Sequence, residues 1–157
     1  MNKALFNDFI QAQNTVYPLV IKELTEGRKR THWMWSIFPQ VKGLGRSTMA
    51  RRFAIESLEQ AKEYLQHEVL GARLRECVEL LLLHSDKSAL DIFGSPDNLK
   101  LQSSLTLFAF AAGKKCVFEE LLHQFYQDDY DMNTIEIVKA AERSMSALNT
   151  TERDPKR

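Results

Sequence analysis

Residues 28–52 read RKRTHWMWSIFPQVKGLGRSTMARR, and they gather the side chains in this chain best suited to holding an anion. Seven Lys or Arg, both tryptophans and a glycine-spaced GLGRS turn stand here with no Asp or Glu among them. Arg46 carries the paired donors that can clamp a phosphate or carboxylate. The turn can bring backbone N–H groups close to a ligand, and Ser47 is placed to open a helix whose N-terminus adds partial positive charge. Arg51 and Arg52 add charge, while Trp33 or Trp35 offers a face for stacking against a base. The same tryptophans, with Phe38, equally suit a packed core. GLGRS lacks the Lys-Ser/Thr ending of a P-loop and the preceding strand of a dinucleotide-binding turn, so its meaning depends on these neighbours. The candidate ligand-binding residues are therefore Trp33, Trp35, Arg46, Ser47, Arg51 and Arg52. His32, within the stretch, and Glu56, just beyond it, are the weak candidates for carrying protons if a reaction follows binding.

Other chemistries fit less well. Cys77 and His84 repeat the separation of Cys116 and His123, but seven residues of helix rise about 10.5 Å, too far for one metal ion to bridge either pair. Buried thiols and hydrogen-bonded histidines are the expectation, with no metal and no cofactor. DYDMNTIEIVKA begins like a calcium loop at Asp129, Asp131 and Asn133, yet Thr134 stands where such a loop needs Gly and Ala140 where it needs a bidentate Glu. The acidic turn is expected to cap the helix after it. Ser103 and Ser104 fall inside a helix with no strand-to-helix elbow, where hydroxyls bond back to the preceding turn. A second anion site near Lys100 is opposed by Asp97, whose carboxylate already takes that place.

The chain has no net charge, but seven of its 21 Lys and Arg lie in the basic stretch, against none of its 21 Asp and Glu, so the remainder is acidic. Much of the acid falls in 116–138, where six Asp or Glu meet no Lys or Arg. Either these regions face each other or are solvated, or the basic stretch meets an anion from outside. A small anionic, nucleotide-like or phosphorylated ligand is one such partner; the alternative is an acidic protein partner or a second copy of the chain. Overall neutrality and the lack of a reading motif disfavour nucleic acid.

The elements that must position these residues read as helices. Leu5, Phe6, Phe9 and Ile10 mark one apolar face, and Tyr17, Val20, Ile21 and Leu24 another after Pro18, giving two short helices or one kinked one that ends at Gly27. Trp33 to Phe38 is too uniformly apolar to fix a period. Ser47 caps a helix through Phe53, and Ser57 with Gln60 forms a capping box for the next. Leu70, Leu74, Cys77, Val78 and Leu81 make one stripe. Ser95 as N-cap and Pro96 at the first position open a helix apolar on most sides, which belongs at the centre. Val117, Phe118, Leu121, Leu122 and Phe125 mark another, and Ile135, Val138, Ala141, Met145 and Leu148 the last. CVELLLLH and CVFEELLH are two similar amphipathic helices and not a repeat. With no alternating strand pattern, the fold class is all-α: a single-domain bundle of six to eight helices over 1–148, followed by a polar, mobile tail at 149–157.

The length and a composition of 44% hydrophobic and 27% charged residues suit one packed core. Polar residues interrupt the N-terminal MNKALFNDFIQAQN, no segment reaches the roughly 20 apolar residues of a membrane span, and the two cysteines suit a reducing compartment, so a cytoplasmic location without membrane contact is expected.

HWMWSIFPQ, GLGRS, EYLQHEVLGARL and IFGSPDNLKLQSSLTLF, in this order, resemble the bacterial domain of unknown function 1810 family, often labelled calpastatin. The resemblance runs from about Phe6 to Phe125 and implies a mainly α-helical single domain; it implies no activity. Ser36, Asn98 and Leu105 differ from the residues usual in that family. A calpastatin-type inhibitor resembles an extended polar chain that orders on its protease, whereas this chain has the apolar content to bury a core of its own.

Overall fold

The computed structural model describes residues 3–113 and 115–153, with side chains through Ser144. Among the described residues nine helices follow in order: α1 (Lys3–Glu26), α2 (Met34–Ile37), α3 (Thr48–Arg52), α4 (Leu58–Gln66), α5 (Leu70–Leu82), α6 (Ala89–Phe93), α7 (Asp97–Ala112), α8 (Val117–Tyr126) and α9 (Met132–Arg153). The protein is all-α. Three of the nine are turns of four or five residues. One of these, α6, carries no periodic apolar signal and is held by a local device, the reciprocal Ser88–Asp91 capping box.

Pro18 does not divide the first helix, because α1 runs 24 residues through it. The proline removes one intrahelical hydrogen bond, and the helix packs against α5. There Tyr17 donates to Glu76, and Arg73 donates to Gln13 Oε1 at 3.2 Å and to Asn14 Oδ1 at 2.7 Å. Beyond the helix the chain turns at Gly27, where Arg28 N–H returns to the Glu23 carbonyl at 2.9 Å and Gly27 N–H to that of Leu24 at 3.2 Å.

The centre of the fold is α7, packed most closely against α4 and α8 and also touching α6 and α9. Its burial extends round the helix, since Ser103, Ser104, Thr106 and Leu107 are buried as well as the stripe of Leu101, Leu105, Phe108 and Ala109, which is why its sequence shows no clear polar face. Ser103 and Thr106 return their hydroxyls to the carbonyls of Leu99 and Gln102, at 3.2 and 2.8 Å. The start of α7 differs from expectation: Pro96, not Ser95, is the cap, and its carbonyl accepts from Lys100 N–H at 3.1 Å, beginning the helical ladder one residue later. The stripe from Leu70 to Leu81 on α5 is wholly buried. At the start of α9, Asp131 Oδ2 accepts from Thr134 N at 3.0 Å and Thr134 Oγ1 at 2.6 Å, the capping role expected of the acidic turn. The expected seam residues Met145 and Leu148 and the tail side chains lie outside the described residues.

An edge-to-face aromatic chain, Phe53 to Phe9 to Tyr64 to Phe6, joins α1, the residue that ends α3, and α4, with ring centroids 5.1 to 5.8 Å apart. An isolated parallel bridge, Val41 to Ile55, closes the loop that carries α3: Ile55 N donates to the Gln40 carbonyl at 2.9 Å and Lys42 N to the Ile55 carbonyl at 2.8 Å.

Candidate anion-binding cleft

The stretch 28–52 divides into two halves with opposite treatments of charge. In the first half two of the three cations, Lys29 and Arg30, are paired with acids of the protein, while Arg28 is exposed. Glu23, 2% exposed, projects from the end of α1 into the core. Its carboxylate accepts from Arg30 N at 2.9 Å, Thr31 N at 3.2 Å, Thr31 Oγ1 at 2.8 Å and Trp33 Nε1 at 2.9 Å. Burial by itself would push this carboxyl up, but the donors from Arg30, Trp33 and Thr31 outweigh it and hold the group below the usual carboxylate range. Lys29, with its side chain 7% exposed, pairs with Asp97 at 2.9 Å and lies 5.1 Å from the Trp33 ring centroid. Arg30 pairs with Glu26 at 2.6 Å.

In the second half Lys42, Arg46 and Arg51 are left open. The turn after Val41 and the short α3 surround a cleft of about 620 Å³ lined by Lys42, Gly43, Gly45, Arg46, Arg51 and Ala54. The three cationic side chains are exposed, and none has an ion-pair partner among the described residues. The loop geometry needs both glycines. Gly43 has φ +108, a left-handed backbone, and a Cβ on Gly45 would lie 2.6 Å from the Ala50 Cβ. The turn therefore lies tight against α3, which puts Arg46 and Arg51 on a common rim. Lys42 and Ala54 are set across from each other by the Val41–Ile55 bridge. Three unpaired cations around a glycine-walled concavity can hold an anion through charge-assisted hydrogen bonds.

The candidate residues separate accordingly. Arg46 and Arg51 line the cleft together. Lys42, which the sequence reading passed over, completes it. Arg52 points to the adjoining face, 3.9 Å from Asp8 and 5.1 Å from the Phe53 ring centroid. Ser47 caps α3 by accepting from Ala50 N at 3.1 Å, so its hydroxyl is committed, and α3 is a single turn with little dipole to offer. With Trp35 and Phe53, Ser47 lines a separate crevice of about 20 Å³ on the other side of α3, room for little more than a water. Trp35 is half-buried, 4.7 Å from Phe53 between ring centroids. Trp33 is fully buried with its indole N–H on Glu23, so it belongs to the core and offers no face to a ligand. His32 is exposed and lines neither this cleft nor its neighbour, and so it does not join Glu56 as an acid–base pair.

The other groups with chemical potential are occupied. Burial pushes the Cys77 thiol up to about 12, which keeps it protonated and unlike a metal-bound thiolate. His84 bonds the Leu24 carbonyl at 2.7 Å, and His123 bonds Asp128 at 2.9 Å. Asp97 stands between Lys29 and Lys100, at 2.9 and 3.8 Å, and fills the second anion position considered above. Among the described residues no group of three or more His, Cys, Asp or Glu could hold a metal ion, and no helix is long and apolar enough to cross a membrane. No ion pair joins the acidic region 116–138 to the basic stretch among those residues.

Comparison with known proteins places the chain in a family. The model of a family described as protein of unknown function (DUF1810) matches residues 3–138. Among solved structures, the conserved hypothetical protein Rv1873 from Mycobacterium tuberculosis is similar, with 47% sequence identity, a TM-score of 0.83, and coverage of 85% of this chain and 95% of that one. No curated protein matches.

Proposed function

The chain belongs to this family of proteins of unknown function, and for it we propose recognition of a small phosphorylated or similarly anionic ligand in the cleft of Lys42, Arg46 and Arg51. One observation carries the reading: three exposed cations without internal partners converge on a concavity of about 620 Å³, within the range of small-molecule sites. Elsewhere in the same stretch Lys29 and Arg30 are paired and Arg28 stands apart, so the open cations that meet at one concavity are Lys42, Arg46 and Arg51. A thermal-shift screen at moderate salt against inorganic phosphate, pyrophosphate, sugar phosphates, nucleotides and short oligonucleotides tests this. A ligand at about 100 times its dissociation constant adds about 2.7 kcal/mol, worth several degrees in a domain of this size. The expected result is a shift for one class of small anion that disappears in Arg46→Ala. No shift in either protein sinks the reading.

A second reading rests on the exposure of Asp128 and Asp129, whose region is not paired with the basic stretch of its own chain. An acidic surface and a basic one left apart in one molecule can meet between two molecules. Sedimentation equilibrium separates the readings: concentration-dependent association that salt reverses favours self-pairing, and a monomer at all concentrations favours the ligand cleft.

A further inference from the structure

The cleft does not end at Arg51. A second lobe of about 330 Å³ shares Lys42, Arg51 and Ala54 with it and continues along α1. Its lining changes character, because Asp8, Arg52 and Glu56 now stand among the residues that form it. Asp8 is 3.9 Å from Arg52, with side chains 47% and 59% exposed, and the Glu56 carboxylate has no partner among the described residues. The Glu56 backbone is fixed, its N–H donating to Gln60 Oε1 at 2.8 Å. Neither lobe is lined by an aromatic side chain among the described residues.

Resting on the anion-cleft reading, we infer that the ligand is a phosphate ester of a non-aromatic, hydroxyl-bearing moiety, a sugar phosphate in chemical class, with the phosphate among Lys42, Arg46 and Arg51 and the hydroxyls toward Asp8 and Glu56. Carboxylates only accept hydrogen bonds and guanidinium groups only donate, so a lobe containing both is matched by hydroxyls, each of which does both. A cationic tail suits it less, since Lys42, Arg51 and Arg52 still outnumber the two carboxylates. A purine or pyrimidine finds no ring to stack on, because Trp33 is in the core and Trp35 lies across α3. Plain phosphate leaves the second lobe unused.

Calorimetric titration of the full chain with inorganic phosphate, ribose 5-phosphate, AMP and phosphoethanolamine at one salt concentration tests this. Ribose 5-phosphate is expected to bind about tenfold tighter than phosphate, the size of one hydrogen bond to a charged acceptor. AMP is expected to gain nothing over ribose 5-phosphate, and phosphoethanolamine to bind more weakly than it. Glu56→Ala and Asp8→Ala should erase the preference for ribose 5-phosphate while leaving phosphate affinity unchanged or raised, since each removes a hydroxyl acceptor and a negative charge from the groove. Equal affinity for phosphate and ribose 5-phosphate, a gain of tenfold or more from the base of AMP, a preference for phosphoethanolamine, or a preference that survives both substitutions overturns the ligand class but leaves the anion cleft standing. Loss of phosphate binding in Arg46→Ala with the other outcomes negative marks that case. Failure of all four compounds to bind overturns both.

Discussion

Glu23 and the Lys42–Arg46–Arg51 cleft put charge to opposite uses within a short distance along the chain. Around Glu23 a buried carboxylate receives four donors from residues 30–33, and Lys29 and Arg30 each have an acid partner. Around the cleft the cations point to solvent and are answered by nothing in the described chain. Burying a charge is tolerable only when its hydrogen-bonding capacity is met, so the first arrangement is a fastener that ties the basic stretch to α1. Leaving cations convergent and unpaired contributes little to folding, and under the proposed function the arrangement serves the anion.

Substitutions should separate the halves by their effect on stability. Trp33→Ala removes a fully buried indole and one of the Glu23 donors, and should cost about 3–5 kcal/mol, seen as a fall in thermal midpoint of roughly 10 °C. Glu23→Gln keeps the volume but loses the charged acceptor, and should cost about 1–3 kcal/mol in urea unfolding at neutral pH. Because the folded protein holds the Glu23 carboxyl below its usual range, its stabilisation is complete above that range and is lost as pH falls through the lower folded value. Unfolding measured at neutral pH and below about pH 4 should therefore show a smaller acid loss in Glu23→Gln than in the wild type. Gly45→Ala should cost about 1–3 kcal/mol, because its Cβ would displace α3 at Ala50, and it should also weaken anion binding by moving the Arg46–Arg51 rim. Arg46→Ala and Arg51→Ala should change stability by no more than about 0.5 kcal/mol, while calorimetry shows each lowering anion affinity by about 1.5–3 kcal/mol. A large stability loss from either arginine would erase the distinction between the halves.

How far the sequence disclosed this follows from where each signal resides. The long helices were legible because their apolar residues recur at helical spacing, as from Leu70 to Leu81, and the caps at Ser47 and Ser57 sit where the hydroxyl meets the N–H three residues on. The α6 turn was not, since five residues are too few to show a period. Pro18 carries a local penalty that tertiary contacts from Tyr17 and Arg73 offset, and those contacts join residues far apart in sequence. The run Trp33–Phe38 is apolar on every side, so spacing could not assign Trp33 to the core and Trp35 to the surface of α3. Glu23 reads as an ordinary solvated helix charge; only the return of residues 30–33 over the end of α1 makes it a hub. Arg46 and Arg51 could be named from their setting, whereas Lys42 joins them through the Val41–Ile55 bridge and Asp8 joins the neighbouring lobe from α1, relations that no local pattern contains.

The most direct test of the division watches both halves at once. In an NMR titration with ribose 5-phosphate, the side-chain Nε–H signals of Arg46 and Arg51 should move together along one saturable curve, while the Trp33 indole N–H and the Arg30 side chain stay fixed. Unsaturating drift of every exposed arginine, or movement of the Trp33 indole with Arg46 and Arg51 unchanged, would contradict the account.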